Sequence, residues 1–213
     1  DKQMAIFFIF SMLLGASLQI TNGFANPFIS HFITMAEYQN TFGVQHANIL
    51  ISLSQASETL CILLIPFFMK KFGIKGVMLI SMFAWVFRFG FFGIGDPGFP
   101  GVIWFILSML VYGVAFDFFN ISGSLYVNQR TSTDIRSSAQ GLFMLMTNGL
   151  GATIGSLGAQ VIVNLYTHTE EFHGAFYTVG KWKFPWFIFA GYAFVIGVLF
   201  MILFKSPKQT EVK

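Results

Sequence analysis

Apolar residues in this chain run in long unbroken stretches instead of alternating with polar ones. No Asp, Glu, Lys or Arg occurs between Lys2 and Glu37, from Pro97 to Phe116, from Ser137 to Thr169 or from Phe184 to Phe204. A helix needs about 20 predominantly apolar residues to cross the hydrocarbon core of a bilayer. A half-buried strand would show a period of two bounded by turn signals, and that pattern is missing. Cutting the runs at loop signals predicts six spans, over roughly 4–26, 44–69, 74–94, 101–126, 137–166 and 184–204. The expected fold is an all-α integral membrane protein, with 1–213 forming a single six-helix transmembrane bundle. The turns Lys70–Lys75 and Gly95–Gly98 are short, the loops 27–43 and 167–183 are longer, and no soluble domain is inserted.

Composition sharpens this reading. Hydrophobic residues make up 55% of the chain and charged residues 10%, with mean hydropathy +0.69. A soluble domain carries about a quarter charged residues, so this surface is built for lipid. Phe supplies 29 of the 213 residues, which suits lipid-facing helices. The chain opens Asp1-Lys2-Gln3 without an initiator Met. Its first apolar run is longer than a signal-peptide core and ends in polar residues. The expectation is a segment of a longer protein, not a secretory leader. The single cysteine, Cys61, lies inside a span, so no intrachain disulfide is possible.

Charge gives an orientation. With six spans both termini share one side, which then holds Lys2, Lys70, Lys71, Lys75, Arg130, Arg136, Lys205, Lys208 and Lys213. The other side holds only Lys181 and Lys183. Cytoplasmic loops carry the excess of Lys and Arg, which makes both termini cytoplasmic. His31, His46, His168 and His173 fall on the outer side and are expected to be solvated. Trp182 and Trp186 flank the last span, as an interfacial aromatic belt would. No basic patch with interleaved aromatics appears, so nucleic acid is not an expected partner.

Two spans share a pattern. Span one contains Gly15-x-x-x-Gln19-x-x-Asn22, and span four contains Gly113-x-x-x-Asp117-x-x-Asn120. As first helices of two three-helix units they run in opposite directions, which is the arrangement of an inverted repeat around a central site. Span five carries Gly151, Gly155 and Gly158 with Ala152 and Ala159, read as a close helix-packing face. Span six is apolar throughout and suits a peripheral helix facing lipid.

The candidate chemistry lies in polar residues within the spans. An acidic residue at the bilayer centre costs about 2.5–3.5 kcal/mol on insertion scales and usually marks a substrate or proton path. Glu58 in span two and Asp117 in span four are two such residues. Gln55 shares a helix face with Glu58, and Gln19 shares one with Asn22. Tyr112 and Phe116 are four apart, beside Asp117. Amides, carboxyls and aromatic rings from three helices suit a neutral polar solute with a flat ring. Two bland readings stand beside this one. Arg88 in span three could lock Glu58 or Asp117 in an ion pair that only holds helices together, and Gln19 and Asn22 could only join helix to helix. No phosphate loop, no metal-spaced His or Cys cluster and no nucleophile elbow occurs, so neither an enzyme nor a cofactor is expected.

The stretches MAIFFIFSMLLGASLQITN (Met4–Asn22), SLSQASETLCILLIPFF (Ser52–Phe68) and YGVAFDFFNISG (Tyr112–Gly123), with SAQGLFMLMTNG from Ser138, resemble the NupG-type nucleoside permeases. These form the nucleoside:H⁺ symporter family of the major facilitator superfamily. The resemblance covers nearly the whole chain and matches the C-terminal half of a twelve-helix transporter built of inverted three-helix repeats. It implies proton-driven nucleoside uptake across a bacterial inner membrane, in partnership with an N-terminal six-helix half. It also implies solute binding by Gln19, Asn22, Gln55, Glu58, Tyr112, Phe116 and Asp117, with Asp117 and Glu58 coupling the proton. Ser17 stands where a family member carries an acidic residue, and Lys70–Lys75 lacks the Asp of the superfamily's basic loop. The residues themselves leave two alternatives open: a symporter for a sugar or other polyhydroxylated solute, and a non-transporting membrane scaffold.

Overall fold

A computed structural model describes residues 2–205; Asp1, Lys208 and Lys213 of the expectations above lie outside the described residues. Helix α1 runs Lys2–Ser30 and continues as a 3₁₀ turn, His31–Thr34. The short α2, Phe42–Gln45, leads into α3, Ala47–Ile94, followed by α4, Val102–Arg130. Helix α5, Arg136–Met144, passes through a π-helical stretch, Leu145–Gly151, into α6, Ala152–Tyr166. Strands β1, Thr167–Phe172, and β2, Ala175–Gly180, precede α7, Lys183–Leu203.

Five of these helical segments are long and apolar enough to cross a membrane: Lys2–Thr34, Ala47–Ile94, Val102–Arg130, Arg136–Tyr166 and Lys183–Leu203. The second is 48 residues long. A straight helix of that length would measure about 72 Å, more than twice the hydrocarbon thickness. It is interrupted at Gly73, with φ 66° and ψ 177°. A residue without Cβ takes this left-handed φ at little cost, so the glycine in Lys70–Lys75 divides α3 into two arms. One end of the bundle is defined by two contacts. The Lys205 backbone N–H donates to Gln3 Oε1 at 2.8 Å, and Lys75 Nζ donates to the Met201 carbonyl at 2.8 Å. The start of α1, the Gly73 break and the end of α7 therefore lie together.

Interhelical packing uses small residues and hydroxyls. A Cβ on Gly15 would meet the Thr147 carbonyl oxygen at 2.1 Å, and one on Gly113 would meet the Ser57 carbonyl carbon at 2.6 Å. Backbone thus crosses backbone at both glycines, α1 on the π stretch and α4 on the first arm of α3. Ser57 Oγ donates to the Leu110 carbonyl, Ser81 Oγ to that of Ala115 at 2.5 Å, and Tyr192 Oη to that of Leu13 at 2.7 Å. Gly151, Gly155 and Ala159 form the expected packing face, the first two against Met12 and Ala16. Gly158 faces open space instead. Helix α7 buries one face and leaves Phe194, Val195 and Leu199 exposed, as a peripheral helix would.

Three expectations are corrected. The fold is not purely helical, because residues 167–180 form an antiparallel hairpin in which Phe172 pairs with Ala175 across a two-residue turn. That turn, His173-Gly174, has φ 49° and 78°, the positive pair that matches the twist of a hairpin. Trp182 and Trp186 do not form an interfacial belt. Both are buried, at 2% and 0% exposure, in an aromatic cluster with Phe28 and Phe92. His31 is not solvated either. It is 2% exposed, its Nδ1 bonds to the Phe28 carbonyl, and its ring stacks on Phe28. Pro27 does not stop α1, so the helix carries His31 inward instead of leaving it on a loop.

Candidate functional site

Three helices line an open cavity of about 400 Å³. Helix α1 contributes Thr21, Asn22, Ala25 and Asn26. The first arm of α3 contributes Asn48, Ile51, Ser54, Gln55 and Glu58, its second arm Arg88, and α4 Tyr112. The periodicity explains the set. Positions 48, 51, 55 and 58 recur at three- and four-residue steps along one helix face, as do 22 and 26. Asn26 Nδ2 donates to Asn48 Oδ1 at 3.0 Å, and Ser30 Oγ donates to Asn26 Oδ1 at 2.8 Å, which joins α1 to α3 at one end of the cavity.

Of the seven residues expected to bind solute, Asn22, Gln55, Glu58 and Tyr112 line this cavity and Gln19, Phe116 and Asp117 do not. Tyr112 and Glu58 share the wall of this cavity. Phe116 stacks on Tyr112 with ring centroids 5.9 Å apart and planes 9° from parallel. It lines a separate small hollow of about 20 Å³ with Asn120, Trp85 and Thr147. Gln19 is half-buried on α1. Asp117 is one residue beyond Phe116, a rotation of about 100° around α4, and it is 7% exposed. Its Oδ2 is enclosed with no hydrogen-bond partner among the described residues. Ser17, at the position where a family member is acidic, is fully buried with an unpartnered Oγ.

Arg88 resolves differently from the locking role considered for it. Among the described residues it forms no ion pair with Glu58 or Asp117, the one ion pair present being His168–Glu170 at 3.7 Å on the hairpin. Arg88 is 1% exposed. Its Nε donates to Thr21 Oγ1 at 3.1 Å and its Nη1 to the Ser108 carbonyl at 2.6 Å. Its guanidinium lies 4.4 Å from the Tyr112 ring centroid and 5.2 Å from that of Phe92. Sequence reasoning missed Thr21, Asn26, Asn48 and Ser54 as lining residues. The signal was present in the helical spacing from Asn22 to Asn26 and from Asn48 to Gln55. Among the described residues no group of His, Cys, Asp and Glu is placed to hold a metal ion.

A bundle of membrane-length helices around a polar cavity defines a polytopic membrane protein able to accommodate a polar solute between its helices. The chain belongs to the nucleoside H⁺ symporter family, whose model matches residues 1–209. It is 51% identical over 205 residues to the nucleoside permease NupG of Escherichia coli (strain K12), covering 96% of this chain and 47% of that protein. It is also 51% identical over 211 residues to the xanthosine permease of the same organism, covering 99% of this chain and 49% of that protein. A crystal structure of the nucleoside transporter NupG matches with TM-score 0.87 at 51% identity, over 97% of this chain and 49% of that one. A second NupG structure, of an aspartate-to-alanine mutant, matches with TM-score 0.88. The chain thus spans about half the length of the relatives it matches.

Proposed function

We propose that this chain is the C-terminal half, residues 1–213, of a proton-coupled nucleoside uptake transporter of the major facilitator superfamily in a bacterial inner membrane. The observation that carries the reading is the cavity, in which Asn22, Gln55, Glu58, Arg88 and Tyr112 converge from three helices in a chain of the nucleoside H⁺ symporter family. Amides and a carboxylate suit ribose hydroxyls and base edges, and Tyr112 with Phe116 stacked behind it offers an aromatic wall. Gln19 and Asp117 complete the proposed set. Asp117 and Glu58 carry the proton coupling, since one acid faces the solute and the other is enclosed beside it.

The architecture follows from the same reading. Helix α3 crosses the membrane twice, through its arms on either side of Gly73, which gives six crossings in all. The meeting of Gln3 with Lys205 at one end of the bundle supports an even number. That end is cytoplasmic by its excess of Lys and Arg. The close crossings at Gly15 and Gly113, each one helical turn before the polar positions it precedes, support two inverted three-helix repeats. An N-terminal six-helix half completes the cavity, and the two halves rock against each other to alternate access.

The test is labelled uridine uptake into liposomes holding the full-length transporter, with and without an inward proton gradient. Uptake that needs the gradient, and that loses this dependence in Asp117→Asn, is the expected result. Intact liposomes with folded protein and no uptake of uridine would overturn the reading.

A further inference from the structure

We infer that Arg88 is a solute-binding residue, whose free guanidinium nitrogen donates to an oxygen acceptor on the solute at the inner wall of the cavity; this rests on the transport reading above. Arg88 lines the cavity yet is 1% exposed, so its charged group is held in the bundle interior. Two of its three nitrogens are committed to protein, Nε to Thr21 and Nη1 to Ser108. These two bonds tie α1 and α4 to the second arm of α3. Together with the Tyr112 ring 4.4 Å away they fix the plane of the guanidinium.

The third nitrogen, Nη2, has no partner among the described residues. It is not one of the polar atoms sealed away without a partner either. Its N–H groups are therefore available to the cavity. A guanidinium has donors and no acceptor, so the group that meets it on a solute must be an acceptor. A buried cation without a paired carboxylate is also costly unless its donors are satisfied, and an incoming oxygen satisfies them. Nucleosides offer this chemistry from two sources, the hydroxyls of the ribose and the carbonyls of the base.

Competition against labelled uridine in the full-length transporter distinguishes these sources, using uridine analogues that each lack one oxygen. One set removes the ribose hydroxyls singly, the other removes the base carbonyls singly. In the wild type, one analogue is expected to bind about tenfold or more weakly, the size of a lost charge-assisted hydrogen bond. In Arg88→Met, which removes the donors but keeps the stem, that analogue's penalty is expected to fall within about twofold while the other penalties persist. Should Arg88→Met fail to fold, Arg88→Gln serves, because its amide ends short of the Nη2 position. Every penalty persisting unchanged in a folded variant would assign Arg88 to helix packing alone and overturn the inference. No single-oxygen deletion costing more than about twofold in the wild type would overturn it without any variant. Absence of uridine uptake by the wild type would instead remove the transport reading itself.

Discussion

Glu58 and Asp117 are both acids of the bundle interior, but their surroundings differ. Glu58 opens onto the cavity with Tyr112, whereas Asp117 is enclosed with one carboxyl oxygen unpartnered. An unpartnered buried carboxyl oxygen is costly, which suits the proposed role of Asp117 in taking up and releasing a proton. Separate defects follow. Glu58→Gln is expected to weaken uridine binding, because it changes the carboxyl that the proposed site offers to the solute into an amide. Asp117→Asn is expected to abolish gradient-driven accumulation while weakening binding less than Glu58→Gln does, since Asp117 lies outside the cavity lining. Titration calorimetry with uridine, set beside liposome uptake, separates the two; equal loss of binding in both variants would argue against the division of roles. Tyr112→Phe removes the hydroxyl facing Glu58 but keeps the ring over Arg88. Tyr112 lines the cavity beside Glu58, so uridine affinity in this variant is expected to fall, read by the same calorimetry.

At the scale of the helices, the close crossings set what substitution the bundle tolerates. A side chain at Gly113 would enter the backbone of α3 at Ser57 and Glu58, displacing the arm that carries Glu58. Overpacking of this kind costs about 1–3 kcal/mol. Gly113→Ala is therefore expected to lower the thermal unfolding midpoint and weaken uridine binding together. Gly158→Ala, with nothing within reach of its Cβ, is expected to leave both unchanged. Fluorescence-detected unfolding in detergent checks the pair, and equal midpoints would show that the α4 crossing can relax. The same elements show what the sequence made legible. Unbroken apolar runs betray helices because lipid demands continuous apolar surface, so the presence of membrane-length helices was readable, five of them among the described residues. Their partners were not, because Trp182, Trp186 and His31 carry no mark of burial in the sequence. The hairpin was overlooked because Thr167–Phe172 is mostly polar and exposed, although His173-Gly174 between two extended segments is a turn signal. In the site, the acids and amides stood out against an apolar background. Thr21, Ser54 and the two lining asparagines, 26 and 48, did not, since small polar residues also occur as helix-to-helix contacts.

For the whole molecule, the polar surface that remains outside the cavity carries the last argument. Along the π-helical stretch and α6, Asn148, Thr153, Gln160 and Asn164 are exposed, and Gln160 Nε2 finds only Asn164 Oδ1, at 2.7 Å. Amide groups facing hydrocarbon without partners are unfavourable. Such a face is poorly suited to lipid. In the proposed transporter it is the surface on which the N-terminal half closes, alongside the open side of the cavity. Membrane-facing surfaces elsewhere behave differently: α7 presents Phe187, Ile188, Phe194 and Val195 and no amide among them. Two results are expected. Residues 1–213 expressed alone should show no uridine uptake, and co-expression with the separate N-terminal half should restore it. A cysteine placed at Asn164 should react with a lipid-phase maleimide in the isolated half and be protected when the other half is present. Equal labelling in both would return this face to the lipid and require the N-terminal half to dock elsewhere.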